Sequence, residues 1–261
     1  MLYQEELDFA LAATGEAGRN ARRLRDRGVA PETKPDDSPV TAADRDNERL
    51  LRESIEARFP EDGILGEEGT RKESRSGRRW IIDPIDGTRD YVRGNRFWCV
   101  LIALEAGGRP VLGVAHFPML GETCWAVRGQ GAYSNGRRLR VSTIERTSEA
   151  VLSPNGMHAM AAEPYAASMM EFMSRFWAVR SAGGALDAAM LAAGQLEVWF
   201  ERKAEIWDLA PLQVIVEEAG GRFFALDGSS RADRGNAAAC TPAFEREVRA
   251  FFGCPAAAAG A

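Results

Sequence analysis

Apolar residues in the first sixty positions recur at the three- and four-residue spacing of an amphipathic helix. Between Tyr3 and Arg27 this stripe consists of Leu7, Ala10, Leu11, Thr14, Ala17, Ala21 and Leu24. The spacing predicts a long helix that ends near Gly28. Residues 32–40 contain two prolines and are expected to be extended or looped, and residues 44–58 are predicted to form a second helix.

Short apolar runs bounded by Gly, Pro or Asp predict strands in the next part of the chain. They lie at residues 63–66, 80–82, 98–105, 111–117 and 122–127. The last three follow one another through short turns, which is typical of an antiparallel sheet. Residues 71–79 are highly charged and are predicted to form an exposed loop.

Helices and strands alternate after about residue 145. Helices are predicted at residues 165–176, 185–193, 209–219 and 244–252, and strands at residues 177–180, 196–200 and 222–226. The pattern predicts a layered α/β (α+β) protein in two halves. Residues 1–145 are predicted to form an N-terminal α+β half, residues 146–254 a smaller C-terminal α/β half, and residues 255–261 an Ala-rich frayed tail.

Composition narrows the possible functions. The net charge of −5 disfavours nucleic acids and anionic membranes as partners, since both repel an acidic chain. No apolar run approaches the roughly 20 residues that span a bilayer, and the acidic start does not resemble a secretory signal, so a cytoplasmic location is expected. The four cysteines lack metal-binding spacing and are expected to be free thiols. Only His116 and His158 are histidines, so carboxylates are the better candidates for catalysis.

The most informative stretch runs from Trp80 to Thr88, with the sequence Trp-Ile-Ile-Asp-Pro-Ile-Asp-Gly-Thr. A buried strand is predicted to end at Asp83, because Pro84 biases the preceding residue toward an extended backbone. Asp86 follows in a turn that Gly87 permits. Two ionised carboxylates this close repel each other unless a divalent cation lies between them, and Mg²⁺ prefers oxygen ligands. The backbone N–H groups of Gly87 and Thr88 suit a phosphate oxygen.

Asp83-Pro-Ile-Asp-Gly-Thr88 resembles the signature of the inositol monophosphatase family. Three further segments resemble other motifs of that family in the same order: Thr41-Ala-Ala-Asp44, Gly66-Glu-Glu68, and Trp207-Asp208 followed by Glu217-Glu-Ala-Gly-Gly221. The resemblance spans roughly residues 35–240. It implies a layered α-β-α-β-α fold of the sugar-phosphatase type, a homodimer, and hydrolysis of a small phosphate monoester with two or three Mg²⁺ ions and inhibition by lithium.

The resemblance also implies roles for individual residues. Glu67 and Asp83, with the carbonyl of Ile85, would hold one metal ion, and Asp83, Asp86 and Asp208 a second. Glu67 would reach a third ion through water and so takes part in catalysis. Asp44 and Thr88 would orient and deprotonate the attacking water. Gly87 and Thr88 would hold the phosphate, and Glu201, Gly183 and Ala185 would contact the rest of the substrate.

Some of these residues have a competing structural interpretation. Asp44 and Asp208 each precede a helical run and could act as helix caps. Glu201 lies in the charged run Glu201-Arg-Lys-Ala-Glu205 and could belong to a solvated cluster. Glu68 is expected to be structural and Trp207 to lie in the core.

The substrate is predicted from the sequence around the motifs. Thr88-Arg-Asp-Tyr-Val-Arg-Gly94 and Trp207-Asp-Leu-Ala-Pro211 resemble the histidinol-phosphatase branch of the family, which acts in histidine biosynthesis. Arg89 and Asp90 depart from the Lys and Asn that are frequent in that branch. Inositol 1-phosphate is the alternative substrate, followed by fructose 1,6-bisphosphate. Since some family members act as regulatory binding proteins, that class also stays open.

Overall fold

The computed structural model describes residues 2–28, 30–34 and 39–255. The helices are Gln4–Asp26 (α1), Ala42–Arg58 (α2), Thr88–Arg93 (α3), Met157–Met160 (α4), Ala166–Ser174 (α5), Gly184–Ala192 (α6), Ile206–Glu218 (α7) and Glu245–Phe252 (α8). Short 3₁₀ turns occur at Thr147–Glu149 and Pro242–Phe244. Most of the predicted tail, and residues 35–38 of the predicted extended segment, lie outside the described residues.

The strands of the N-terminal part are Glu32–Thr33 (β1), Pro39–Val40 (β2), Gly63–Gly66 (β3), Arg71–Lys72 (β4), Arg78–Asp86 (β5), Cys99–Ala106 (β6), Arg109–Phe117 (β7), Glu122–Val127 (β8), Gly131–Ser134 (β9) and Arg137–Arg138 (β10). Those of the C-terminal part are Val151–Asn155 (β11), Ala178–Val179 (β12), Val198–Glu201 (β13), Arg222–Phe224 (β14) and Ala237–Cys240 (β15).

Two main sheets organise these strands. The larger has the order β10-β9-β8-β7-β6-β5-β3-β4 and the smaller the order β12-β11-β13-β15-β14. The predicted antiparallel arrangement is confirmed from β5 to β10, whereas β3 runs parallel to β5. In that parallel pair Gly66 lies opposite Ile82. The residues that follow them, Glu67 and Asp83, therefore emerge at the same edge of the sheet.

Alternation along β5 shows how the layers form. Trp80 and Ile82 pack on one face against α1 and α2, through residues such as Leu7 and Leu51. Ile81 points to the opposite face, because successive strand side chains alternate, and joins the core around α6 and α7.

That second core continues into the smaller sheet through Trp199 and Ala239. The other face of the smaller sheet packs against α5 and α8, where Phe172 and Val248 are buried. The layers are therefore α-β-α-β-α, and the predicted fold class is confirmed. The division into two halves near residue 145 stays a prediction, although the larger sheet ends at Arg138 and the smaller begins at Val151.

Several predicted elements differ from those observed. The charged segment predicted as a loop contains β4 and the start of β5. The central strands β11 and β15 were not predicted, because Ser153-Pro154 and Ala237-Ala-Ala have low strand propensity. Their pairing with β13 on either side decides their conformation. Within the described ranges no helix is long and apolar enough to cross a membrane. The four cysteines are free thiols.

Candidate active site

The end of β5 places two acidic side chains in one cleft. Asp83 pairs with Leu101 and Asp86 with Cys99 on the neighbouring strand, and the register shifts between these two pairs. The backbone N–H of Ile85 donates a 2.9 Å hydrogen bond to Asp83 Oδ1, which fixes the bend.

Gly87 then ends the bend with a left-handed backbone (φ +82°), where a Cβ atom would lie 3.0 Å from the Phe97 carbonyl oxygen. A glycine is required here on both counts. The local sequence therefore determines the irregular end of β5.

A third carboxylate reaches the same point from the other half of the chain. Asp208 lies in the first turn of α7, where its Oδ2 accepts a 2.7 Å hydrogen bond from the Glu205 N–H. One oxygen from each of Asp83, Asp86 and Asp208 lies within 4.8 Å of the other two. A single divalent cation can be held by such a group of oxygens.

Glu67 borders this cluster from the turn after β3. Its backbone N–H donates to the Ile82 carbonyl (3.3 Å), which ties the turn to β5. Lys34 Nζ donates to Glu67 (2.7 Å) and to Glu68 (2.6 Å). Among the described residues, Lys34 is thus the one positively charged side chain that contacts Glu67.

Burial and mutual repulsion disfavour the ionised forms of these acids. Burial, and then the charges of Glu67, Asp208 and Asp86, raise the pKa of Asp83 well above its ordinary value. Burial raises the pKa of Asp86 to about 6 and, together with the charge of Asp86, that of Asp208 to about 7. A bound cation removes this penalty, because it favours the charged form of each ligand. The oxygen-only, like-charged cluster thus fits divalent metal ions.

Asp44 and Thr88 form a hydrogen-bonded pair beside the cluster. Thr88 Oγ1 lies 3.3 Å from Asp44 Oδ1 and 3.1 Å from the Ile85 carbonyl oxygen, and it can donate its proton to either. Asp44 Oδ2 accepts hydrogen bonds from the Thr41 N–H (2.8 Å) and hydroxyl (2.5 Å). Burial raises the pKa of Asp44, and the bonds from Thr41 oppose this. The Asp44 carboxylate is therefore held in place and can accept the Thr88 proton.

The cleft around these groups has a volume of about 270 Å³, which suits a small metabolite. All but one of the predicted site residues line it: Glu67, Asp83, Ile85, Asp86, Gly87, Thr88, Gly183, Ala185, Glu201 and Asp208. Asp44 is the exception, and it contacts the cleft through Thr88. Their roles stay predictions, but the structure brings the whole set together.

Glu201 forms an acidic end of the cleft. Cβ atoms added at Gly156 and Gly184 would lie 3.1 and 3.2 Å from its carboxylate oxygens, so these two glycines let the backbone approach it. Burial raises the pKa of Glu201 to about 9, reinforced by the charges of Asp86, Asp208 and Asp187. Among the described residues no hydrogen bond or ion pair satisfies this carboxylate. Glu201 thus lies in the cleft, not in the solvated cluster that its neighbours suggested.

The structural and functional interpretations of Asp44 and Asp208 are compatible. Each is the third residue of its helix and completes a capping box, with Thr41 for α2 and with Glu205 for α7. In addition, Asp44 Oδ1 lies near the Thr88 hydroxyl, and Asp208 contributes an oxygen to the acidic cluster. Trp207, which was predicted to lie in the core, is half-buried: it packs against the core between the two sheets, and the Arg71 guanidinium lies 5.6 Å from its ring centroid.

Sequence reasoning did not assign a role to Lys34, Phe97 or Lys203, which contact Glu67 or line the cleft. Residues 32–35, Glu-Thr-Lys-Pro, also resemble the histidinol-phosphatase branch of the family, and this resemblance is the signal available for Lys34. Phe97 and Lys203 carry no signal in one sequence, because their positions depend on the packing of distant segments.

Comparisons with known proteins show which family the chain belongs to. The model of the inositol monophosphatase family matches residues 3–250. A histidinol-phosphatase of Mycobacterium tuberculosis is 36% identical over 250 residues, covering 94% of this chain and 96% of that protein. A histidinol-phosphatase of Chlorobaculum parvum is 39% identical over 224 residues, covering 85% and 86%. The crystal structure of the extragenic suppressor protein suhB from Bartonella henselae superposes with a TM-score of 0.89 at 30% identity, covering 95% and 98%.

The fold, the acidic cleft and these relatives define a phosphoric monoester hydrolase. The chain belongs to the inositol monophosphatase family. The family, the fold class and the phosphatase activity predicted from the sequence are thereby confirmed.

Proposed function

We propose that this protein is a magnesium-dependent histidinol-phosphate phosphatase that acts in histidine biosynthesis. The observation that carries the choice of substrate is Glu201, a half-buried carboxylate at one end of the cleft that has no hydrogen-bond or ion-pair partner among the described residues. Histidinol phosphate has an amine and an imidazole, either of which could supply the missing positive charge. Asp90 also lines the cleft and adds a second negative charge.

The relatives support the same substrate. Two histidinol-phosphatases match 85% or more of this chain at 36% and 39% identity. Inositol 1-phosphate is the competing substrate, and its ring offers only neutral hydroxyl groups to Glu201. A buried carboxylate gains less from a neutral hydroxyl than from a cationic donor, because charge-assisted hydrogen bonds are about twice as strong.

The residues that would hold the metal ions are Glu67, Asp83, Asp86 and Asp208, with the Ile85 carbonyl oxygen as a further ligand. We propose Mg²⁺ for this site, in two or three positions, since every donor is an oxygen. Bound Mg²⁺ supplies positive charge that polarises the phosphate ester and acidifies a water molecule. Lithium is expected to inhibit by competing for the same oxygens.

The chain's own residues then perform the hydrolysis. The N–H groups of Gly87 and Thr88 hold a phosphate oxygen, and Gly183, Ala185 and Glu201 hold the alcohol portion. Thr88 Oγ1 orients the water and accepts its proton while donating its own to Asp44, along the 3.3 Å contact. The water oxygen bonds to phosphorus as the bond to the ester oxygen breaks, and the departing oxygen takes up a proton from solvent water and leaves as the alcohol. No covalent intermediate with the protein forms.

The test is phosphate release by the purified protein with Mg²⁺ from four substrates at matched concentrations. They are L-histidinol phosphate, inositol 1-phosphate, fructose 1,6-bisphosphate and adenosine 3′,5′-bisphosphate. We expect at least a ten-fold preference in kcat/KM for histidinol phosphate, equal to about 1.4 kcal/mol in the transition state, and loss of activity with EDTA. A preference for inositol 1-phosphate would overturn the substrate, and no release from any of them would favour a regulatory binding protein.

The homodimer and the cytoplasmic location also stay proposals. The homodimer rests on the family resemblance, and light scattering coupled to size-exclusion chromatography tests it. A mass near twice 28.5 kDa is expected.

A further inference from the structure

Glu48 is a buried acid outside the predicted catalytic set. Its side chain lies on α2 and is 3% exposed. One carboxylate oxygen accepts a 2.6 Å hydrogen bond from the Glu68 N–H, and the other accepts a 2.8 Å bond from the Thr70 N–H. Among the described residues no Lys or Arg forms an ion pair with it. Both oxygens are thus used to hold one short piece of backbone.

That piece of backbone is the turn that carries Glu67. The turn is closed by a hydrogen bond from the Gly66 N–H to the Thr70 carbonyl (2.9 Å), and Glu67 itself is tied to β5 through Ile82. Glu48 holds the residues on the C-terminal side of Glu67, so the backbone around Glu67 is fixed from two directions.

Gly66 is adapted to this contact. A Cβ atom added there would lie 2.6 Å from the Glu48 carboxyl carbon and from Oε2. Any larger residue would push the carboxylate away from the turn. The glycine of the Gly66-Glu-Glu68 motif therefore makes room for Glu48.

The same helix also carries Asp44, one turn before Glu48. Residues four apart lie on one face of a helix, so α2 presents both acids toward the larger sheet. Asp44 contacts Thr88, and Glu48 contacts the turn of Glu67. A single rigid element thereby fixes the spacing between the proton acceptor and one of the metal ligands.

We propose that Glu48 is a positioning residue for metal binding, which holds the turn so that the Glu67 carboxylate stays directed at the acidic cluster. This inference rests on the proposed function, in which Glu67 is a metal ligand. A carboxylate is needed because two separate N–H groups each require an acceptor. Glutamine offers one oxygen and one NH₂ group, so one of the two N–H groups would face another donor.

The test compares Glu48→Gln with Glu197→Gln. Glu197 is a matched control, since it is 2% exposed and accepts a 2.6 Å hydrogen bond from the Val151 N–H in the other half of the chain. Mg²⁺ affinity is measured by isothermal titration calorimetry without substrate, and thermal stability by melting in EDTA. We expect Glu48→Gln to weaken Mg²⁺ binding by about ten-fold or more, while Glu197→Gln lowers the melting temperature without changing the affinity.

Activity gives a second readout. At saturating Mg²⁺, Glu48→Gln is expected to recover kcat to within about two-fold of the wild type, because excess metal compensates for weak binding. Gly66→Ala should reproduce the same loss of affinity, and it serves if the glutamine variant does not fold.

Wild-type affinity in both Glu48→Gln and Gly66→Ala would overturn the positioning role and leave the proposed function intact. Absence of Mg²⁺ binding by the wild-type protein would instead contradict the proposed function itself.

Discussion

At the scale of single residues, Asp83 combines burial with three neighbouring carboxylates of the same charge. It is 2% exposed, and Glu67, Asp86 and Asp208 all raise its pKa in addition to burial. Such an arrangement is costly for folding, and it is typical of sites where function requires it. The cost is offset when cations bind.

Asp83→Asn is therefore expected to separate activity from stability. Removing this charge weakens both proposed metal positions, so we expect kcat/KM to fall by at least about 100-fold at ordinary Mg²⁺ concentrations, as a ligand of the catalytic metal is lost. The melting temperature in EDTA should not fall, because one repulsive charge has gone. Asp46→Asn, on α2 with a side chain that is 46% exposed, is the control for activity. Near-wild-type turnover of Asp83→Asn would contradict the metal scheme.

Glu201 tests substrate recognition at the same scale. Glu201→Gln keeps the shape of the side chain and removes its charge, so we expect kcat/KM for L-histidinol phosphate to fall about ten-fold or more. The loss for p-nitrophenyl phosphate, which carries no cation, should stay within about three-fold. Glu171→Gln, on the exposed side of α5, is the matched control. Equal losses for both substrates would show that Glu201 does not recognise the cationic group.

At the scale of elements, α7 is the structure on which the site depends most. It packs between the two sheets, and its first turn supplies Asp208. Pro211 is the sixth residue of the helix, so its missing N–H removes one hydrogen bond from the helix, the one that the Trp207 carbonyl would otherwise accept. The fit of α7 against β7 is tight, because a Cβ atom at Gly113 would lie only 2.3 Å from the Pro211 carbonyl oxygen.

Gly113→Ala should therefore displace α7 from the larger sheet. We expect a destabilisation of about 1–3 kcal/mol, typical of overpacked cores, together with weaker Mg²⁺ binding because Asp208 moves with the helix. Urea unfolding and calorimetric titration measure the two effects. Gly15→Ala, on α1 with its nearest contact at 3.4 Å, is the control and should not destabilise. If Gly113→Ala were as stable as the wild type, the close packing of α7 against β7 would not contribute to stability.

Elements also show how far the sequence predicts this structure. Helices α1 and α2 and strand β8 are predicted closely, because their periodicity is strong and their ends carry clear signals. Strands β11 and β15 are not, since their residues favour a strand only when neighbouring strands pair with them. The functional stretch from Asp83 to Thr88 is located correctly because its signals are local. Its predicted strand end at Asp83 is wrong, since β5 continues through a register shift to Asp86, which pairs with Cys99. The contacts of Lys34 and Glu48 with the Glu67 turn join segments twenty or more residues apart, and only the folded chain brings them together.

At the scale of the whole molecule, the acidic cleft joins the two sheets at the cost of stability. Glu67, Asp83 and Asp86 come from the larger sheet and its turns, whereas Asp208 and Glu201 come from α7 and β13. Without metal the five acids face one another across the layers. Cation binding is therefore expected to stabilise the assembly of the layers as well as to activate the enzyme.

The stability of the metal-free protein should depend on pH in a defined direction. The pKa values of Asp86 and Asp208 are raised to about 6 and about 7 in the folded chain, against about 3.9 in an unfolded one. At pH values between the unfolded and the folded pKa, the folded state binds more protons than the unfolded state. The free energy of unfolding therefore falls as pH rises from about 4 to 7. In EDTA we therefore expect the melting temperature to be lower at pH 8 than at pH 5.

Magnesium should reverse this trend, since it replaces the protons. At pH 8 and a Mg²⁺ concentration 100 times the dissociation constant, binding adds about 2.7 kcal/mol, or about 5–10 °C in melting temperature for a chain of this size. At pH 5 the gain should be much smaller, because Mg²⁺ must displace bound protons. Asp83→Asn, measured in parallel, should lose most of the gain at pH 8. An equal stabilisation by Mg²⁺ at both pH values would show that the cation binds away from these carboxylates.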